Sequence, residues 1–254
     1  MDLCIDVGNT TVVYALYKEN KVVCVFSYYT HSYHTLDEIT AAINTQIKLH
    51  EINVDEIKRI IYCSVVPSVD SYMFDMIKSI FKVEPLVLKP GVKTGLQIST
   101  DNPLEVGGDI IGDCVAAKEK YGFPVLIVDL GTASKVLYIN EKGAFSSAVI
   151  IPGIDISRSA LSDKAALLPD IGFKKMVNVL QCKNTIDCMN TGLILSHAYG
   201  VKGIVDEFKK EIGKDVKVIL TGGAAIHLKE FLADYIYEPY LLHEGLLMIL
   251  NKQK

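Results

Sequence analysis

Nowhere in this chain of 254 residues does an apolar run approach the roughly 20 residues needed to cross a bilayer, so no membrane contact is expected. The first residues, MDLCIDVGN, lack a basic stretch leading into a longer apolar one, which argues against a secretory signal. Positive charge is not in excess either: 26 Lys and Arg against 30 Asp and Glu leave a formal net charge of −4. Such a chain does not attract a polyanion through its overall field, and nucleic acid is not expected as a partner. Six cysteines occur without a Cys-x-x-Cys pair, mostly inside apolar runs. Reduced, buried thiols of a cytoplasmic protein are therefore expected rather than a disulfide framework. His31 and His34 are spaced as HxxH, but no further ligand is suggested near them, and a solvated loop is expected there.

What is present is ordinary globular material, 50% hydrophobic and 22% charged, long enough to bury a substantial core in one large domain or two smaller ones. Apolar patterning predicts strands at Leu3–Asp6, Thr10–Tyr17 and Lys21–Tyr29, the last two joined by the polar turn KEN. A helix over Thr35–His50 follows, with Ile39, Ala42, Ile43 and Ile47 on one face and Thr35 as its N-cap. Next come a strand at Arg59–Val66, a helix at Ser68–Phe81 and a strand at Pro85–Leu88. The second half restarts the pattern: a helix over Glu105–Tyr121, then strands near Val125–Asp129, Ser134–Asn140 and Ala144–Ile150. Helices are expected over Ile154–Leu168, from Thr185 onward and over Ala224–Leu232, with a strand at Val216–Leu220 and a last helix from about His243. The order predicts an α/β fold with mixed sheets flanked by helices. No Pro/Ser/Gly-rich linker interrupts it, and the domain boundary is expected near Lys118–Pro124, giving domains 1–120 and 121–254.

Two stretches 129 − 6 = 123 residues apart share a pattern: CIDVGNTTVVYALY from Cys4 and IVDLGTASKVLYIN from Ile127. Each ends an apolar strand in Asp-x-Gly, continues with small hydroxylated residues and enters a second strand. Glycine at such a turn can adopt positive φ and lets main-chain N–H groups approach a phosphate, while the carboxylate can hold a cation against it. A single copy is a common hairpin turn. Two copies, with the glycine turn of VILTGGAA (Val218–Ala225) after them, point to a polyphosphate gripped from two sides.

This constellation resembles the duplicated nucleotide-binding fold shared by actin, sugar kinases and Hsp70 chaperones, a ribonuclease H-like architecture. The resemblance narrows with DNPLEVGGDIIGDCVAAKEKYGFP (Asp101–Pro124). The ordered set Asp6-Val7-Gly8-Asn9-Thr10, CSVVP from Cys63, DNPLEVGGD, DLGTA from Asp129, PGIDIS from Pro152, Asn184-Thr185 and TGGAA from Thr221 is similar to the type III pantothenate kinases. It covers the chain from Asp6 to Gly245. The resemblance implies two actin-like halves, a homodimer, and ATP-dependent phosphorylation of pantothenate, the first step of coenzyme A synthesis. A divalent cation such as Mg2+ and a monovalent one, K+ or NH4+, would assist.

Carried onto matching positions, it makes Asp6, Val7, Gly8, Asn9, Thr10, Thr11, Val12 and Val13 the first phosphate loop, with Asp6 near the divalent metal. Asp109 would be the general base, Asp129 a potassium ligand and Thr132 an ATP contact. Thr100, Gly107, Gly108, Asp109, Ile110 and Thr185 would face pantothenate. Ile110 departs from the family, which has Arg after the catalytic Asp and uses it to position substrate. Thr100 stands where an aromatic residue is common, and Ser134-Lys135 replaces the usual Thr-Thr. Lys135 or Arg158 is a candidate replacement for the missing cation. Asp113 lies four residues after Asp109 on the same helix face, where it would either raise the pKa of Asp109 or point into water. Two readings follow: a pantothenate kinase with an altered pocket, or a paralogue that is non-catalytic or acts on another small alcohol. The second echoes the family's other name, Bvg accessory factor.

Overall fold

The computed structural model describes residues 1–32 and 35–253, so His34 of the HxxH pair lies outside the described residues. The chain divides into two compact units: 1–97, 101–119 and 241 to the end form unit 1, and 98–100 with 120–240 form unit 2.

Unit 1 opens with β1 (Asp2–Val7), β2 (Thr11–Lys18) and β3 (Lys21–Tyr29), an antiparallel meander. Glu19 and Asn20, both at positive φ, make the tight turn that the KEN motif predicts. Helix α1 (Leu36–Leu49) starts at Thr35, whose side chain accepts from the Glu38 N–H while Glu38 reaches back to the Thr35 N–H. This reciprocal cap satisfies two donors that the first turn would otherwise leave open. Strand β4 (Arg59–Ser64) lies parallel to β1, α2 (Pro67–Phe81) follows with Pro at its start, and β5 (Leu86–Val87) pairs with β4. The sheet order is β3-β2-β1-β4-β5.

Both faces of this sheet are buried. Leu3, Ile5, Val7, Tyr14 and Ile60 point into one core with α1 and α2. Cys4, Ala15, Tyr17, Ile61 and Cys63 point into the other. That second face is covered by α3 (Gly108–Tyr121), through Val115, and by the last helix, α7 (Leu241–Asn251), through Leu246, Leu247, Ile249 and Leu250. A division at residue 120 therefore misses the return of the chain: α7 is apolar along most of its length, and the β1–β4 face is what buries it. The Arg59 guanidinium donates to both carboxylate oxygens of Asp2, at 2.8 and 2.6 Å, and to Asn251 at 2.8 Å, which ties the end of α7 to the sheet margin.

Unit 2 repeats the plan. Strands β7 (Val125–Leu130), β8 (Ala133–Ile139) and β9 (Ala144–Pro152) form a second antiparallel meander. Strand β10 (Lys217–Thr221) runs parallel to β7 and β11 (Ile236–Tyr237) parallel to β10. A short β6 (Gln97–Ile98) completes the order β11-β10-β7-β8-β9-β6. Helices α4 (Ile154–Lys164), α5 (Thr185–Ile212) and the short α6 (Ala225–Leu228) complete the unit. The sequence overextends α4 and α6. Helix α4 ends at Lys164 because Leu167 is 95% exposed and gains no packing. The two-residue strands β6 and β11 are too short to give a periodic signal.

Two measurements test this packing. A Cβ at Gly245 would lie 1.9 Å from the Gly112 carbonyl oxygen, and one at Gly112 would lie 2.4 Å from Leu242 Cδ1. Gly245→Ala is expected to lower stability by about 2–3 kcal/mol, seen as a lower urea midpoint. His243 on α7 is buried, and burial pulls its pKa down to about 4, against a weaker opposing effect of the Val13 carbonyl. The unfolded chain thus takes up this proton near pH 6.5 while the folded one does not. That stability is fully present above pH 6.5 and is lost as pH falls toward 4, at most about 3 kcal/mol. A His243→Gln variant should flatten the pH profile of the urea midpoint between those limits.

Candidate active site

In unit 1 the first Asp-x-Gly stretch occupies the end of β1 and the turn to β2. The turn is pinned from behind: Gly8 N–H donates to Thr11 O at 3.0 Å, Thr30 N–H to Thr10 O at 3.0 Å, and Thr30 Oγ1 to Gly8 O at 2.6 Å. Thr30 is itself buried, so the turn rests on a fixed post. Asn9 and Thr10 are exposed above it, Asp6, Gly8, Thr11 and Val13 are half-buried, and Val7 and Val12 point into the core. Alternation along β1 places Asp6 on the face of Cys4, the face covered by α3 and α7.

The start of α3 comes to that same place. Asp6 and Cys63 are register partners in the parallel β1–β4 pair. A Cβ at Gly108 would lie 2.7 Å from Cys63 Sγ, so the helix begins against the strand next to β1. Asp109 follows in the first helical turn, where the exposed N–H groups favour a carboxylate. Its Oδ1 folds back to 2.4 Å from where a Gly107 Cβ would be, which requires a residue without one. Asp6 and the start of α3, which carries Asp109, thus lie at the same end of one sheet. Ile110 is half-buried, and Asp113 is buried at 2% exposure rather than turned to water.

In unit 2 the second stretch closes β7 with Asp129-Leu130, and Gly131-Thr132 links it to β8. Positive φ appears neither at Gly8 nor at Gly131; it falls at Gly222, φ +93°. There a Cβ would lie 2.5 Å from the Leu130 backbone and 2.6 Å from Asp129 Oδ1. On another side, Gly153 N–H donates to Thr132 O at 3.1 Å. The loop around Gly131 and Thr132 is therefore gripped by Gly153 and by the Thr221-Gly222 turn.

Asp129 stands opposite Lys135 in the β7–β8 register, and Lys135 Nζ donates to Asp129 Oδ2 at 2.7 Å with both side chains 12% exposed. Arg158 is engaged as well, with Asp170, the Ile171 carbonyl at 2.9 Å and Asp155 at 3.6 Å. Both cations considered as substitutes for the missing arginine thus hold carboxylates of unit 2. Thr100 Oγ1 is buried and makes no hydrogen bond. Thr185 is exposed at the first turn of α5, whose N-cap Asn184 accepts from the Asp187 N–H at 2.9 Å.

Sequence reasoning did not find the Ser134–His197 contact, 2.8 Å between Oγ and Nε2, which is buried between β8 and α5. Burial lowers the His197 pKa and keeps the ring neutral. Nor did it find the Asp129–Lys135 pair, although a short hairpin turn would have set the two opposite each other. Among the described residues, no cluster of three or more His, Cys, Asp or Glu could hold a metal, and no helix is long and apolar enough to cross a membrane.

The model of the type III pantothenate kinase family matches residues 2–207. A type III pantothenate kinase of Agathobacter rectalis is 35% identical, over 100% of this chain and 98% of that protein. One from Bacillus cytotoxicus is 38% identical over 99% and 96%. Among solved structures, a conserved Campylobacter jejuni protein assigned to the Baf family of transcriptional activators superposes with a TM-score of 0.59 at 17% identity, covering 98% of each chain. The activator of 2-hydroxyisocaproyl-CoA dehydratase from Clostridium difficile, solved with ADPNP, gives 0.54 at 12% identity over 99% and 94%. These likenesses bear on the fold alone, which is the duplicated actin-like α/β architecture.

Ser134→Ala leaves the His197 ring nitrogen buried without its partner. A loss of about 1–3 kcal/mol in urea unfolding is expected. In the double variant with His197→Leu the two losses should fall short of additive.

Proposed function

Because the chain belongs to the type III pantothenate kinase family, we propose that it moves the γ-phosphoryl group of ATP onto the primary hydroxyl of pantothenate, giving 4'-phosphopantothenate for coenzyme A. The observation that supports this reading at the level of the site is that the start of α3, which carries Asp109, packs on Cys63, the register partner of Asp6. A primary alcohol is a weak nucleophile at neutral pH, and Asp109 takes its proton as the oxygen attacks phosphorus. The remaining demands of phosphoryl transfer are alignment and charge neutralisation. Within unit 1, residues 6–13 receive the phosphates; within unit 2, Thr132 is the candidate nucleotide contact.

A divalent cation fits Asp6. Carboxylates are the hard oxygen donors that Mg2+ prefers, and Mg2+ is normally held by one or two of them plus phosphate oxygens rather than by a protein cage. Bound there, the ion would neutralise phosphate charge. A potassium ion does not fit Asp129 in the same way, since an ammonium group already sits on its carboxylate.

For pantothenate we assign Gly107, Gly108 and Ile110 around Asp109 in unit 1, and take Thr100 and Thr185 as the candidate hydroxyl donors of unit 2. The buried, unpartnered Oγ1 of Thr100 supports its place, because such a group is costly unless a ligand satisfies it. Ile110 removes a charged contact and leaves the base in position, so a weaker grip on substrate is expected rather than loss of chemistry. The protein works as a homodimer. Its setting is the cytoplasm, in keeping with six unbridged cysteines, four of them buried.

Purified protein with ATP and Mg2+ should convert pantothenate to its 4'-phosphate, detected by mass. Asp109→Asn should cut kcat by roughly 10²–10⁴-fold while ATP binding persists. Ile110→Arg should lower the KM for pantothenate roughly tenfold. No phosphopantothenate from the unmodified protein across neutral pH would overturn the proposal.

A further inference from the structure

The geometry points to Lys135 as a built-in monovalent cation: its ammonium group takes the place at Asp129 that an exchangeable ion would otherwise fill, so that the protein needs no potassium for ATP. This rests on the reading of the Asp129 stretch as part of the nucleotide site.

A carboxylate this buried, at 9% exposure, is costly unless a positive charge compensates it. Lys135 supplies that charge from the directly facing position of β8. Opposed residues in an antiparallel pair have side chains on the same face with Cβ atoms about 5 Å apart, close enough for a lysine stem to place its ammonium on the carboxylate. The Nζ–Oδ2 distance of 2.7 Å is that of a full charge-assisted hydrogen bond. The other oxygen, Oδ1, is hemmed in by Gly222, where even a methyl group would lie within 2.6 Å. A second monovalent ion on Asp129 would have to sit beside an ammonium of the same charge, which repels it. The chemistry supplied is unchanged, because a lysine ammonium and a free NH4+ carry the same charge and the same kind of N–H donor. What changes is that the ion is tethered. The backbone of the Gly131-Thr132 loop, fixed by Gly153 and Gly222, keeps its charge balance without drawing on the solvent.

The test compares potassium chloride with tetramethylammonium chloride at equal ionic strength. It measures Mg-ATP affinity by calorimetry and thermal unfolding without nucleotide, for the full chain and for Lys135→Thr. In the unmodified protein both quantities should be the same in the two salts. In Lys135→Thr the ATP affinity should fall roughly tenfold or more in tetramethylammonium and return with K+ or NH4+, and the same ions should raise its unfolding temperature. A specific K+ requirement in the unmodified protein would overturn the inference while leaving the kinase reading intact. So would a Lys135→Thr variant that folds but is indifferent to both ions. If neither protein binds ATP, the kinase reading fails, and unfolding temperature alone decides the role of Lys135: a K+ response confined to the variant upholds it, and any other pattern sinks it. If the variant does not fold, the salt comparison on the unmodified protein decides.

Discussion

Where α3 and α7 cross, the Gly112 carbonyl comes so near the Gly245 Cα that no side chain fits between them. Backbone contact of this kind brings α7 down onto the β1–β4 face and fixes the height at which α3 runs. Asp109 lies in the first turn of α3, less than one turn before Gly112, so its position against Cys63 and the end of β1 depends on that spacing. Core packing and the placement of the proposed base are one constraint, because a helix held two ångströms higher would carry its carboxylate away with it.

Unit 2 solves a related problem by different means. Its second Asp-x-Gly stretch is immobilised by hydrogen bonds and by glycines that leave no room, while an ion pair neutralises the buried acid. The two stretches read alike in sequence, yet Thr30 braces one and Lys135 neutralises the other. Duplication supplied the topology, β-meander then parallel strands, and each copy settled its own electrostatics.

Much of the architecture was legible from local signals. The Thr35–Glu38 capping box, the Glu19-Asn20 turn and the alternation in β1 act within a few residues, and the chain reproduces them. Helix α4 was read too long because Ala165–Leu168 keeps an apolar pattern, although Leu167 is left in solvent and only Leu168 packs on the core. At the site, the candidate residues were visible as motif positions, whereas their partners were not. Pairing Asp129 with Lys135 requires strand register, and pairing Ser134 with His197 spans 63 residues. Those are tertiary facts with no periodicity to announce them.

The route of the chain has a further consequence. Unit 2 is almost one continuous segment, whereas unit 1 is closed by a segment that follows unit 2 in the chain. On the ribosome, the face bearing Cys4, Ala15, Tyr17 and Ile61 must wait, uncovered by α7, until all of unit 2 has been made. Domains generally fold as units when complete, so the later segment matures first and the N-terminal half is the part that most needs shelter from aggregation while it is being synthesised.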